Sequence, residues 1–296
     1  LRHVINSPVL DPAVKMGRML RPLLPERLKG KLQPPPEPGS LPASTQGFDN
    51  HVLLLDSCVQ STFAPRIDAA TARVLAHVGI GVKTVSGSGC CGAVNFHLNA
   101  QDAARQQMRA NIDAWLPELE SGRITAIVMN ASGCGATVRE YAHHLQHDPV
   151  YAEKAAKVVE HVVDIAEIIA PHTETLGELV QQLPEKPVFH PPCTLQHWQS
   201  LRGLTEKLLA DLGFDLQPFA ESHLCCGAAG TYSVTQPDMS RQLRERKLEC
   251  LSAAQPDAIL SSNMGCLLHL QEGTSIPARH WIEFLDDALP SEAAHA

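Results

Sequence analysis

The feature that most constrains this 296-residue chain is a cysteine pattern that occurs twice. Cysteines stand at 58, 90, 91, 134, 193, 225, 226, 250 and 266. Cys58 and Cys90 are separated by 31 residues, and Cys193 and Cys225 again by 31. Each interval closes on Cys-Cys-Gly, at Cys90-Cys91-Gly92 and at Cys225-Cys226-Gly227. A lone Gly-Cys then follows after 42 intervening residues in the first copy (Cys134) and 39 in the second (Cys266). Chance does not produce such spacing, so the chain reads as two copies of one unit. Cys250 has no counterpart in the first copy, and free cysteine commonly behaves as a small buried hydrophobe, so it is set apart from the pattern.

Hydrophobicity alternates in a matching order. Strands are expected at His51–Asp56, Gly81–Val85 and Ala126–Asn130. Helices are expected at Ala64–His77, at Asp102–Leu119 with Asn99 as its cap, and from Ala136. After a helix over Ala152–Ala170 the order returns: strand Pro187–Phe189, helix His197–Leu212, strand Phe214–Pro218, helix Pro237–Ala253, strand Ala258–Ser261. Such alternation implies an α/β fold with a parallel sheet covered on both faces. Its ligand crevice lies at the carboxyl ends of the strands. Cys58, Cys134, Cys193 and Cys266 fall just past strands, and each cysteine pair falls in a turn leading into a helix. Four thiols are therefore expected to converge in each copy.

The expected organisation is a basic arm and linker over 1–49, a first repeat over 50–148, a helical connector over 149–185 and a second repeat over 186–296. A hydrophobic content of 44% is enough for two cores of this size. Residues 1–33 carry seven basic and two acidic side chains, while the whole chain has a net charge of -8. This opposition favours docking of the arm on an acidic surface, and Met16, Met19, Leu20, Leu23 and Leu24 recur at helical spacing. The prolines between 34 and 42 then read as an extended linker. Basic residues elsewhere are dispersed, which argues against a nucleic-acid partner. Apolar runs are strand-sized, far short of the roughly 18 residues that span a bilayer. The start of the chain has neither a Met nor the apolar core of a secretory signal, so it is read as a fragment.

Three chemistries compete for the thiols. Adjacent Cα atoms lie about 3.8 Å apart, below the usual disulfide range of roughly 4.4 to 6.8 Å, so Cys90 cannot readily bond Cys91. A reducing compartment, inferred from the missing signal, also disfavours disulfides. Structural zinc usually draws on Cys-x2-4-Cys knuckles, which are lacking here. An iron–sulfur cluster accepts four thiolates on separate irons and so tolerates neighbouring cysteines. Gly92 and Gly227 would let backbone amides approach the sulfurs, or would simply serve the turn. His97, His190, His197, His223, His269 and His280 lie near the motifs as candidate ligands or proton carriers, or as ordinary hydrogen-bonding residues; His97 and His223 stand out as the first to substitute. Gly79-Ile-Gly81 and Gly87-Ser-Gly89 lack the spacing of a nucleotide site, and no flavin site is legible.

The framework resembles the cysteine-rich CCG domain found in heterodisulfide reductase, lactate-utilisation iron–sulfur proteins, anaerobic glycerol-3-phosphate dehydrogenase and glycolate oxidase iron–sulfur subunits. Residues 89–99 (Gly-Cys-Cys-Gly-Ala-Val-Asn-Phe-His-Leu-Asn), 132–136 (Ser-Gly-Cys-Gly-Ala), 192–197 (Pro-Cys-Thr-Leu-Gln-His), 223–232 (His-Leu-Cys-Cys-Gly-Ala-Ala-Gly-Thr-Tyr) and 279–283 (Arg-His-Trp-Ile-Glu) are most similar to the glycolate branch.

The resemblance implies two Rossmann-like halves holding one or two [4Fe-4S] clusters. Their ligands would be Cys58, Cys90, Cys91 and Cys134, with Cys193, Cys225, Cys226 and Cys266. It implies a relay role with no catalytic residue of its own: a partner flavoprotein, carrying FAD, would oxidise glycolate to glyoxylate, and this chain would pass electrons toward a quinone-like acceptor. The expected location is cytoplasmic, extending to the inner face of the cell membrane. Disulfide reduction, lactate utilisation and a non-redox, metal-stabilised assembly module are the alternative readings.

Two departures stand out. Heterodisulfide reductase closes each motif with Cys-x2-Cys, where this chain has Ala131 and Asn263. Glycolate-type relatives also carry ferredoxin-like cysteine runs upstream, whereas no cysteine precedes Cys58. Those modules are expected in a lost N-terminus or in another chain.

Overall fold

A computed structural model describes residues 10–23, 47–55, 57–181 and 184–290. Strands β1 (Asn50–Leu54), β2 (Ile80–Lys83), β3 (Ile124–Met129) and β4 (Val162–Asp164) form one sheet in the order β2-β1-β3-β4. Strands β5 (Pro187–Phe189), β6 (Ala258–Ser261) and β7 (Ala278–His280) form a second sheet in sequence order. Every pairing is parallel. The principal helices are α1 (Leu10–Met19), α2 (Arg66–His77), α3 (Gln101–Glu120), α4 (Ser132–Arg139), α5 (Ala152–Val159), α6 (Ile165–Ile169), α7 (Leu204–Asp211), α8 (Pro237–Ser252), α9 (Met264–Gln271) and α10 (Trp281–Asp287). The fold is mixed α/β with a repeated parallel sheet, as the alternation implies.

Successive side chains of a strand point to opposite faces, and the strands here are apolar on both. Val52, Leu54, Ala126 and Val128 face inward, into a core that also holds Phe189, Ala258 and Leu260 of the second sheet. Leu53, Leu55, Ile127 and Met129 face outward onto Met108, Ile112 and Trp115 of α3. Val188 and Ile259 face outward onto Leu248 and Leu251 of α8. The two sheets thus share one central core, and each has an outer core of its own.

Helices are exchanged across that centre. In each copy one helix follows the first cysteine loop (α2, α7) and one follows the last strand (α6, α10). Helix α10 packs on α2 of the other copy, and α6 packs on α7. Reciprocal contacts of this kind are those of a two-fold relation. Arg73 on α2 donates to both carboxylate oxygens of Asp286 on α10, at 3.0 and 2.5 Å, fastening one of the two crossings.

Several local expectations are corrected. Asn99 does not cap α3: its φ of 57° closes the short preceding helix, Ala93–His97, and Ala100 stands at the N-cap without a side-chain bond. The helix expected over Ala152–Ala170 is interrupted by β4, where Val162–Asp164 pairs with β3, so the segment 149–185 is not purely helical. Left-handed Ser200 and Gly203 split His197–Leu212 into a π-type turn, Thr194–Trp198, and α7. Phe214–Pro218 forms no strand. It retains one ladder-like bond, Gln217 N–H to Pro187 O at 2.8 Å, and Pro218 has no N–H with which to extend it. Strand β7 and helix α10 have no counterpart in the sequence reading.

Helix α1 lies at the basic arm. Val14 is buried while Met16 and Met19 are 60% and 82% exposed, and the helix rests near Gln60–Phe63. Leu24 and the proline-rich linker lie outside the described residues. Among the described residues no helix is long and apolar enough to cross a membrane.

Helices α6 and α10 begin with buried capping boxes. Asp164 Oδ1 accepts from Ala166 N at 3.0 Å while Glu167 reaches back to Asp164 N at 2.7 Å. His280 Nδ1 accepts from Ile282 N at 3.1 Å while Glu283 reaches back to His280 N at 3.2 Å. Burial pushes the Asp164 carboxyl up to about 7 and the His280 imidazole down to about 3, each favouring its neutral form. The folded chain therefore holds a proton on Asp164 that the unfolded chain releases above about pH 4. Wild type should lose stability relative to Asp164→Asn as pH rises from about 4 to 7. Conversely, it should lose stability relative to His280→Asn as pH falls from about 6.5 toward 3. Each slope approaches about 1.4 kcal/mol per pH unit. Melting temperatures of the three proteins across that range check both signs; parallel curves would refute the assignment.

Candidate metal centre

In the first half, Cys58 occupies the loop after β1, Cys90 and Cys91 occupy the turn before Ala93–His97, and Cys134 lies in the first turn of α4. In the second, Cys193 follows β5, Cys225 and Cys226 occupy a turn, and Cys266 lies in the first turn of α9. All nine cysteines are free thiols. The eight motif sulfurs fall into two rows of hydrogen-bonded neighbours. One runs Cys58, Cys90, Cys91, Cys134. The other runs Cys193, Cys225, Cys226, Cys266, and its last two sulfurs are 3.1 Å apart. Cys250 belongs to neither row; its thiol lies 3.6 Å from Glu221 Oε2.

Backbone shape aims the pairs. Gly92 and Gly227 adopt φ of 92° and 91°, which a side chain resists. A Cβ at Gly92 would press on the Ala104 carbonyl, and one at Gly227 would collide with that of Ser240. The turn lets the Gly227 N–H donate to Cys225 Sγ at 3.3 Å, and the Gly92 amide serves Cys90 likewise. Buried Asn111 and Tyr141 hold the first pair from behind. Asn111 accepts from Gly89 N at 2.8 Å and donates to Cys90 O at 3.2 Å, and the Tyr141 hydroxyl donates to Cys91 O at 2.8 Å.

Shared hydrogen bonds set the thiol electrostatics. Bonds from Cys58, then Cys91, hold the Cys90 thiol down to about 3, with Gly92 and Gln107 assisting. Its partner Cys58 is pushed well up, by that same bond, by burial and by the charge on Cys90. Bonds from Cys193 and Cys226 hold Cys225 down to about 2, and Cys226 holds Cys266 down to about 6. Cys226 itself is raised. Thiols so close cannot all ionise unaided, whereas bound cations remove the repulsion and release the protons.

The two rows lie on either side of the join between the halves. Ser132 N donates to Ser262 O at 2.9 Å, Asn263 Nδ2 donates to Ser132 Oγ at 3.2 Å, and Ser132 Oγ bonds Thr194 Oγ1 at 2.8 Å. Ser132 is two residues from Cys134, and Thr194 adjoins Cys193. Asn263 caps α9, accepting from Gly265 N at 2.9 Å and Cys266 N at 3.4 Å.

Among the candidate histidines, His97 and His223 are exposed, which is not the setting of a buried ligand to either row. His197 Nε2 bonds the His223 carbonyl oxygen, His269 bonds Ser240, and His280 is a helix cap. His190 is the one at the sulfurs: fully buried, it offers a nitrogen within 4.8 Å of both Cys226 Sγ and Cys266 Sγ. Sequence reading ranked it with the others. The missed signal is that His190 replaces an apolar residue, Leu55, three positions before the first cysteine of its copy. Gln107, which supports Cys90, gave no sequence signal at all.

Four soft thiols in a row, backbone N–H groups turned onto sulfur, and partly buried walls fit an iron–sulfur cluster better than a lone tetrahedral ion. Comparison with known proteins agrees. The cysteine-rich CCG domain matches at residues 52–139 and again at 188–271. The chain is 45% identical, over 99% of its length and 71% of the relative's, to the glycolate oxidase iron–sulfur subunit of Escherichia coli K12. It is 26% identical to a probable glycolate oxidase iron–sulfur subunit of Bacillus subtilis, covering 89% of this chain and 61% of that protein. It is 24% identical to lactate utilization protein A of an Exiguobacterium species, covering 81% of this chain and 98% of that one. With both cysteine rows inside the matched segments, the chain belongs to the cysteine-rich CCG domain family, alongside the glycolate oxidase iron–sulfur subunits.

Proposed function

We propose that this chain is the electron-carrying subunit of a glycolate dehydrogenase. Cys58, Cys90, Cys91 and Cys134 hold one [4Fe-4S] cluster, and Cys193, Cys225, Cys226 and Cys266 hold a second. The observation that carries the reading is the pair of four-thiol rows, one in each half on either side of the join. A cluster in each row supplies reversible one-electron chemistry. Glycolate gives up two electrons and two protons on becoming glyoxylate, and a partner flavoprotein carrying FAD takes them at the carbon centre. This chain's part is to fix two relay points at a rigid separation and to shield them from water. A quinone-like acceptor takes the electrons onward, which suits a peripheral position at the inner face of the cell membrane. The 45% identity to a glycolate protein against 24% to a lactate one favours glycolate. Disulfide reduction by a noncubane cluster is disfavoured by Ala131 and Asn263, which stand where further thiols would be needed.

Anaerobically purified protein should contain about eight irons and eight acid-labile sulfides per chain, as two cubanes require. Cys91→Ser and Cys226→Ser should each lose about half of the iron, because a hydroxyl is a harder and poorer iron ligand than a thiolate. Cys250→Ser should lose none. Full iron retention in both pair variants sinks the ligand assignment.

In a complex reconstituted with its flavoprotein, either pair variant should stop acceptor reduction and leave flavin reduction by glycolate intact. The isolated chain should show no glycolate oxidation. Normal acceptor reduction by iron-depleted complex would leave only the assembly-module reading.

A further inference from the structure

The two copies agree in their cysteines and differ in what stands beside them. Three residues before the first cysteine of each copy lies Leu55 or His190, both buried. Leu55 packs into the apolar layer with Cys91 and Met108. His190 is 0% exposed, and neither ring nitrogen has a hydrogen-bond partner. A buried N–H left unpaired is destabilising, so the ring calls for an acceptor. The acceptors in reach are sulfurs, since the ring nitrogen, Cys226 Sγ and Cys266 Sγ lie within 4.8 Å of one another.

A second difference lies on the helix behind each pair. Gly92 abuts Ala104 and Gly227 abuts Ser240, and seven residues beyond those contacts stand Asn111 and Lys247, each 1% exposed. The neutral amide of Asn111 bonds the backbone of Gly89 and Cys90. The Lys247 ammonium donates to Glu221 O at 2.6 Å, four residues before Cys225, which sets a cation behind the second pair.

We propose that His190 donates its N–H to the Cys226 and Cys266 thiolates and, together with Lys247, makes the second half the higher-potential of the two cluster sites. This rests on the reading of each half as a cluster site. Reduction adds one negative charge, and hydrogen bonds to sulfur and a nearby cation both favour the more negative state. The first row has a neutral side-chain donor of its own, Gln107 on Cys90, but the positions corresponding to His190 and Lys247 offer it neither an N–H on its last two sulfurs nor a cation. When dithionite supplies one electron per chain, that electron rests in the second half, the first half stays oxidised, and no proton moves.

The test is an anaerobic redox titration of the full-length, iron-loaded chain followed by electron paramagnetic resonance. Two waves are expected. His190→Leu, which installs the first copy's residue, should lower the higher wave toward the lower one and leave the lower wave in place. His190→Asn, whose amide keeps an N–H, should return it part of the way, and Lys247→Met should lower it independently. With 15N-labelled histidine, the signal reduced first should show nitrogen coupling in wild type, a readout that needs no variant. An unmoved higher wave in His190→Leu, or no histidine coupling in that signal, overturns the proposal. Wild-type protein devoid of iron and sulfide would instead overturn the cluster reading beneath it.

Discussion

Within each half of this chain four thiols are hydrogen-bonded in a row, and four such groups cannot all ionise side by side in a half-buried pocket. Two unit charges 4 Å apart repel by about 4 kcal/mol at an effective dielectric near 20. The protein relieves part of this by sharing protons, so that Cys90 and Cys225 sit far below the ordinary thiol range while Cys58 and Cys193 sit far above it. Only cations at the sulfurs relieve it fully. The surroundings serve that end: left-handed Gly92 and Gly227 turn amides onto sulfur, and Asn111 and Tyr141 lock the first pair's backbone so that its sulfurs cannot swing apart.

Bringing the rows together requires more than two copies of a domain. Each copy places its cysteines at strand ends and helix starts, but the helix after its last strand packs on the other copy, α10 on α2 and α6 on α7. The inner faces of both sheets therefore form one core, in which Trp281, Phe284, Ile165 and Ile169 are fully buried. Because that core is common, neither row of thiols can shift relative to the other without disturbing packing throughout the molecule. Rigidity of this kind suits electron relay, where the separation of two sites must not wander.

Much of this was legible in the sequence, and what was not has physical causes. The duplicated 31-residue spacing located both rows, and the short apolar runs Pro187–Phe189 and Ala258–Ser261 were strands as expected. Phe214–Pro218 has equally strand-like composition, yet a strand needs a neighbour to pair along its length, and only Gln217 finds one. Strand β4 was hidden because Val162 and Val163 also continue the helical pattern of α5. His190 could be found only by aligning the two copies and asking where a polar residue replaces an apolar one. Gln107 reaches Cys90, and Lys247 reaches the Glu221 carbonyl beside the second pair, across helix packing angles that sequence spacing does not reveal.

The same reasoning bears on the kind of cluster. Asn263 occupies the position where a Cys-x2-Cys motif would place a fifth thiol, and it does two other things there. Its oxygen accepts the N–H groups of Gly265 and Cys266, ordering the turn that aims Cys266, and its nitrogen donates to Ser132 in the other half. In the first half the same position is Ala131, whose neighbour Ser132 takes the backbone bond to Ser262. A thiol at 263 would lack the amide's paired acceptor and donor, removing both the cap and the bridge. One of the contacts that join the halves thus stands where the extra sulfur would be, and each copy is left with four motif thiols.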